Sequence, residues 1–537
     1  MQKGSPLLSM MLALSGLFWS PPGTTAQQVH LNLPVPGGMP GRPVMTGLTG
    51  TNGLVTITWD GPPGYYQLYQ KLGLTGAAWT PVGGPNITLG AVLSSSQSQA
   101  FFRVSGPAAQ YGGVNACSEC HQSIVNLEAT TAHVHAFQTL QSVHQETNPN
   151  CLVCHTVGYG LPTGFVNAAA TPGLAGVQCE NCHGPAAKHA ANEMDLTVQP
   201  RVDIAGQVCG GCHDGSHQPT YQEWKSSGHF AVVEDMNPPE RINSCGRCHS
   251  GTARLALVKG QDPAVAAHND ANVGITCVVC HDPHQTHAWN NVLTGKTTVN
   301  QLRYPVASTN YYSLSTSAPF QNRYDINVCA QCHNDRGAAW TSTSRPPHHS
   351  PQYNLMLGTV GIRADGTTGT TNAQPGTHGL RITNQCVSCH MQTAAYQSEA
   401  VPAITGHTFA MDSFKVCLPC HPSNPEYLMM LTQDFVIKPR ISQLVADLNQ
   451  WALTKAPPAL STNYGILSWE YTAPGELSAG VAGPTTAQQS LIPDNIKKAR
   501  FNLYIVQYDG SFGIHNPHYS ASLLDTARAW VQQELNK

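Results

Sequence analysis

Two different periods of apolar and polar residues mark the two ends of this 537-residue chain. In residues 54–59 (LVTITW) they alternate, which puts Val55, Ile57 and Trp59 on one face and predicts a half-buried strand. The GPPG at 61–64 supplies a turn, residues 65–69 (YYQLY) a second strand and residues 100–104 a last one. Short strands separated by turns predict a small β-sandwich over residues 45–106. Towards the other end the period becomes helical. Ile441, Leu444, Val445, Leu448 and Ala452 form an apolar stripe after Pro439, and residues 494–507 predict a second helix. Asn516 and Pro517 offer the cap and first turn of a third, with Leu523, Leu524, Ala527 and Val531 facing inward. Such stripes cover a core; a helical interface with a partner subunit is the alternative.

Composition changes this picture in the middle of the chain. Charged residues are 11 %, against about 25 % in ordinary soluble proteins. Gly (49) and Pro (39) are plentiful, which predicts a coil-rich fold of short elements. The formal charge of −3 gives no ground for nucleic-acid binding. The 25 histidines nearly equal the 27 Lys and Arg, so imidazole has a use here.

The first residues read as a secretory signal: Lys3, an apolar run at 7–19 (LLSMMLALSGLFW), then Pro21-Pro22 and small residues up to Ala26. The run is well short of the roughly 20 residues that span a bilayer, and no later segment is apolar enough to do so. The expected organisation is a signal peptide (1–26), a linker (27–44), the β-sandwich (45–106), a cysteine-bearing domain (110–425) and a C-terminal helical region (426–537).

Every cysteine belongs to one five-residue pattern, C-x-x-C-H. The copies are Cys117, Cys120 and His121; Cys151, Cys154 and His155; Cys179, Cys182 and His183; Cys209, Cys212 and His213; and Cys245, Cys248 and His249. They continue with Cys277, Cys280 and His281; Cys329, Cys332 and His333; Cys386, Cys389 and His390; and Cys417, Cys420 and His421. This is the attachment signature of c-type haem: two thiols add across the porphyrin vinyl groups and the next His reaches the iron from the proximal side. A zinc site does not need His after each second Cys, a redox dithiol occurs once, and a disulfide framework leaves the histidines unexplained. Nine copies imply nine covalent haems, attached outside the cytoplasmic membrane. Their propionates would make the loaded protein acidic.

Histidines outside the hooks exceed the nine sixth positions to be filled, and Met shows no comparable placement. His189 follows His183 by six residues. Such a chain reaches about 20 Å fully extended, too little slack to pass round the same ring, so His189 is expected to serve a neighbouring haem. The same argument applies to His284, three residues after His281. A compact chain spanning all nine hooks has a radius of gyration of about 19 Å, which brings neighbouring haems within tunnelling range.

CENCHGPAAKH, TYQEWKSSGH, CVVCHDPH, HHSPQ, CVSCHM with GHTF, and ARFNLYIVQYDGSFGIHNPHY together resemble the multihaem superfamily of hydroxylamine oxidoreductase, its tetrahaem acceptor cytochrome and the ammonia-forming nitrite reductases. The resemblance covers about residues 110–535. It implies a fold that is coil-rich and mainly α around stacked haems, and distal iron ligands at His189, His229, His284, His378 and His407. One of His348 and His349, and one of His133 and His135, are implied as well, with His144, His217 and His515 as further candidates. The TWDGPPGYYQLYQK run resembles fibronectin-type-III-like modules of secreted bacterial proteins, with docking, adhesion or a plain spacer as its role. Two family features differ. No copy carries the C-x-x-C-K of the nitrite reductases, and none of Tyr464, Tyr471 and Tyr508 is singled out for the tyrosine cross-link of hydroxylamine oxidoreductases.

The leading expectation is an exported electron carrier with bis-His haems, periplasmic or extracellular, working with redox partner proteins such as other multihaem cytochromes. Alternatives are an oxidoreductase acting on nitrite, hydroxylamine or tetrathionate at one open haem, and a self-associating conductive filament in which His515 or His518 serves a neighbouring subunit.

Overall fold

The computed structural model describes residues 44–51, 54–60, 66–71, 78–86, 90–94, 101–105, 109–291, 296–303, 328–368, 373–382 and 384–537. The expected signal peptide, the linker up to residue 43 and the 61–64 turn lie outside them. The chain divides into two compact units. The first comprises Met1–Tyr221 with Pro283–Thr286, and the second Gln222–Asp282 with His287–Lys537. The boundary between the units falls after Tyr221.

In the first unit, six strands precede the hooks: β1 Val44–Thr51, β2 Leu54–Asp60, β3 Tyr66–Lys71, β4 Thr80–Asn86, β5 Gly90–Ser94 and β6 Phe101–Ser105. They form two antiparallel three-stranded sheets ordered β1-β2-β5 and β4-β3-β6. Along β2, Val55, Ile57 and Trp59 are buried while Leu54 and Thr58 are exposed. Those three share one apolar cluster with Met45, Leu48, Tyr66, Leu68 and Phe102, so residues of both sheets meet in a common core. The Arg103 guanidinium lies 4.8 Å from the Tyr69 ring and 4.9 Å from that of Trp79.

The hook-bearing stretches are short helices and turns around small apolar clusters. One gathers Tyr111, Phe137, Leu140, Leu152, Val157 and Phe165, and another Tyr353, Met356 and Leu357 with Ala330. Most hooks begin or occupy a helical turn, as in Pro149–His155, Cys179–His183, Cys277–Cys280 and Cys386–His390. Asn148 caps the first of these by accepting from the Asn150 N–H, and Gln178 with Asn181 forms a capping box on the second. The turn Ile242–Gly246, which carries Cys245, is π-helical.

The C-terminal part of the second unit is built differently. Helices Lys438–Thr454, Asp494–Asp509 and Pro517–Leu535 pack through Leu444, Leu448, Trp451, Leu503, Leu523 and Val531, all 2 % exposed or less. Asn516 caps the last helix by accepting from the Tyr519 N–H. Its amide also donates to the carbonyls of Leu355, Met356 and Gln374, which ties the turn before that helix to the hook-bearing residues. Within that turn Gly513 has φ +93°, and a Cβ there would stand 2.6 Å from Ile437, so only glycine fits. Among the described residues no helix is long and apolar enough to cross a membrane.

Candidate functional site

The helical turn explains why the hook spacing works. Positions i, i+3 and i+4 of a helix share one face, so the two sulfurs and the imidazole of a C-x-x-C-H segment project together. Different hooks are also brought against each other. In the first unit Cys117 is hydrogen-bonded to Cys179, and Cys154 to Cys212. In the second, Cys248 meets Cys332 and Cys329 meets Cys386. The thiols here stand where thioether sulfurs would be in a haem-loaded chain.

Seven hook histidines face a second imidazole across a nearly constant gap. The ring centroids are 6.1 Å apart for His213 and His133, 5.9 Å for His183 and His284, and 6.1 Å for His333 and His229. The others are His249 with His348 at 5.9 Å, and His281 with His407, His421 with His378 and His390 with His515, each at 6.3 Å. With metal–imidazole bonds of about 2 Å and a nitrogen-to-centroid distance of about 1.1 Å, two rings sharing one ion stand about 6.2 Å apart. The centroid separations of the seven pairs therefore match that of two imidazoles sharing one metal ion.

The other ring nitrogen is frequently anchored. Nδ1 of His155 lies 2.8 Å from the Ala136 carbonyl, that of His183 2.7 Å from Arg201, and that of His378 2.8 Å from Ile514. His390 and His407 bond the Phe409 and Thr405 carbonyls, and His348 the Ser350 hydroxyl. A proton held on Nδ1 leaves Nε2 as the free lone pair, the tautomer a metal ligand needs. Burial, reinforced by Arg336 and His349, pushes His348 down to about 3, and burial with His333 pushes His229 down to about 4. Both are neutral at ordinary pH, as ligation requires. His515 differs. Burial pulls it down, but the charge and hydrogen bond of Asp509 prevail and raise it.

His133, rather than His135, faces His213; His135 bonds Gln138 and is exposed. His348 faces His249, while His349 stacks on His348 at 4.4 Å and meets Tyr508 at 5.9 Å. His144 is exposed with φ +57°. The Nδ1 of His189 is buried without a hydrogen-bond partner, on the short helix Ala187–Ala191 that touches the helix carrying His121. Of the tail tyrosines, Tyr471 is buried with the Arg500 guanidinium 4.0 Å from its ring, Tyr464 bonds Gln488, and the Tyr508 hydroxyl accepts from the Glu476 N–H.

Two supporting carboxylates were not identified from sequence, although both sit in the quoted motifs. Glu223, in TYQEWKSSGH, accepts from the N–H groups of Thr405 and His407 and from the Thr405 hydroxyl, which fixes the loop that presents His407. Asp509, in YDGSFGIH, holds His515.

Residues 116–184 match the family described as cytochrome c554 and c-prime. The chain is 29 % identical over 136 residues to cytochrome c-554 of Nitrosomonas europaea, an alignment covering 20 % of this chain and 58 % of the relative. It is 25 % identical over 178 residues to the multiheme cytochrome MtrA of Shewanella baltica, covering 29 % and 51 %. The undecaheme cytochrome from the S-layer of Carboxydothermus ferrireducens aligns over 80 % of this chain and 70 % of its own, at 20 % identity and a TM-score of 0.47. The chain spans about half the length of the curated relatives it matches. It is related to the multihaem c-type cytochromes.

Proposed function

We propose that the chain carries nine covalent c-type haems and passes electrons along them as an exported protein, periplasmic or extracellular. Each haem, when bound, supplies a reversible one-electron centre. The protein's part is to hold it by two sulfurs, fix the proximal imidazole and present a distal one. The observation that carries this reading is the set of seven facing imidazole pairs, because two strong axial ligands close an iron to substrates and suit it to electron transfer. The hydrogen-bonded cysteines of different hooks add that neighbouring macrocycles would lie close together. Redox proteins, including other multihaem cytochromes, are the fitting partners. The six-stranded segment is read as a fibronectin-III-like docking or spacer module.

A second reading is a multihaem oxidoreductase with one open haem iron, a role other members of the resembling superfamily fill. Such an iron would bind a small nitrogen or sulfur compound such as nitrite, hydroxylamine or tetrathionate. Spin state decides between the two. Electron paramagnetic resonance of the oxidised protein showing only low-spin haems supports transfer alone. A stoichiometric high-spin haem that binds nitrite would establish the second reading. A third reading is a self-associating conductive filament; with His515 lying 6.3 Å from His390 of the same chain, His518 would be its donor to a neighbouring subunit.

A further inference from the structure

The turn between helices Asp494–Asp509 and Pro517–Leu535 places a carboxylate directly behind a candidate iron ligand. Asp509 Oδ1 lies 2.6 Å from Nδ1 of His515, and the Asp509 side chain is fully covered. Its other oxygen accepts from the Ser511 hydroxyl and, at 3.3 Å, from the Ser511 N–H. The Ser511 hydroxyl in turn accepts from the His515 N–H at 3.2 Å. The cluster is closed on itself by a six-residue return, and one of its two glycines, Gly513, admits no side chain.

In six other histidines the corresponding ring nitrogen meets a neutral oxygen. His155, His183, His378, His390 and His407 bond backbone carbonyls, and His348 bonds a hydroxyl. The difference is one of charge. An imidazole whose Nδ1–H points at a carboxylate takes on imidazolate character, becomes a stronger donor through Nε2, and favours the ferric over the ferrous ion. The same partner fixes the ring plane facing His390.

We propose that Asp509 is a positioning residue that holds the reduction potential of the haem on Cys386, Cys389 and His390 below those of haems whose imidazoles bond neutral oxygens. The proposal rests on the reading of His390 and His515 as axial ligands. It makes this haem the place where electrons rest least readily, suited to receive them from a low-potential donor and release them along the chain.

The test is a spectroelectrochemical titration of the full haem-loaded protein and its variants, with low-spin signals followed in parallel. Asp509→Asn keeps an acceptor oxygen for Nδ1–H but removes the charge. One low-potential component should move up by at least 59 mV, a tenfold change in its ferric-to-ferrous ratio, with its low-spin signal retained. Ser511→Ala removes a donor that partly neutralises the carboxylate, so the same component should move the other way. That variant carries the test if Asp509→Asn fails to assemble. His515→Ala should convert one haem to high spin. No potential shift in either variant, with His515→Ala producing its high-spin haem, overturns the tuning and leaves the ligation reading standing. A His515→Ala protein with every haem still low-spin overturns both.

Discussion

The three-helix tail and the hook-bearing residues before it solve the problem of a core in opposite ways. In the tail, Leu444, Leu448, Trp451, Leu503, Leu523, Leu524 and Val531 form one continuous apolar cluster, which also takes in Val360 and Ile362. Several polar groups buried there are paired within the protein: Arg500 donates to the carbonyls of Trp469 and Glu470 and to Gln489, and the Tyr504 hydroxyl donates to Glu470. The hook-bearing stretches have only small clusters, with short helices and many turns between them. Between those clusters, imidazoles and thiols of different segments are brought together. One region is stabilised by its own side chains, and the other, on the function proposed above, would be completed by a prosthetic group.

The sharpest way to break this contrast is to make the chain without haem attachment. Amides of residues 110–425 should then lose their protection in hydrogen exchange, while the helices at 438–454, 494–509 and 517–535 keep the slowest exchange in the molecule. Equal protection in both regions would end the comparison. A smaller effect should follow from Leu448→Ala, which empties a fully buried site in the tail. A loss of about 2–5 kcal/mol in denaturant unfolding is expected, with haem content unchanged.

The smallest effect concerns acid. Asp447 is held below the usual carboxylate range: burial opposes this, but hydrogen bonds from Arg528, Gln443 and Gln532 and the charge of Arg528 outweigh it. A depressed folded-state value means that its contribution is present above the unfolded value of about 3.9 and is lost as pH falls through the folded one. Thermal unfolding of Asp447→Asn between pH 6 and 2.5 should therefore show a shallower acid loss than the parent chain.

Legibility in the sequence divides along the same line. The tail could be read because its helices are amphipathic and locally capped. The stripe at Ile441–Ala452 and the Asn516–Pro517 start lie on the helices Lys438–Thr454 and Pro517–Leu535. Strand β2 was legible for the same reason, since its alternation is local. The hooks are local too, with thiols and imidazole set by one helical turn. Their facing partners are not. His515 meets His390 from far along the chain, and the choice of His133 over His135 depends on which side of a turn faces His213. Asp509 and Glu223 act through another residue, so only the packed structure reveals what they hold.

Axial geometry offers the most direct test of the central claim. The facing rings range from nearly parallel, 5° for His183 and His284, to perpendicular, 89° for His421 and His378. Low-temperature electron paramagnetic resonance with near-infrared magnetic circular dichroism, calibrated by total haem content, should find nine haems. At least seven should be low-spin with two nitrogen ligands, spread between rhombic signals from parallel rings and strongly anisotropic ones from perpendicular rings. Fewer than nine haems, or a majority with methionine or open coordination, would contradict the account.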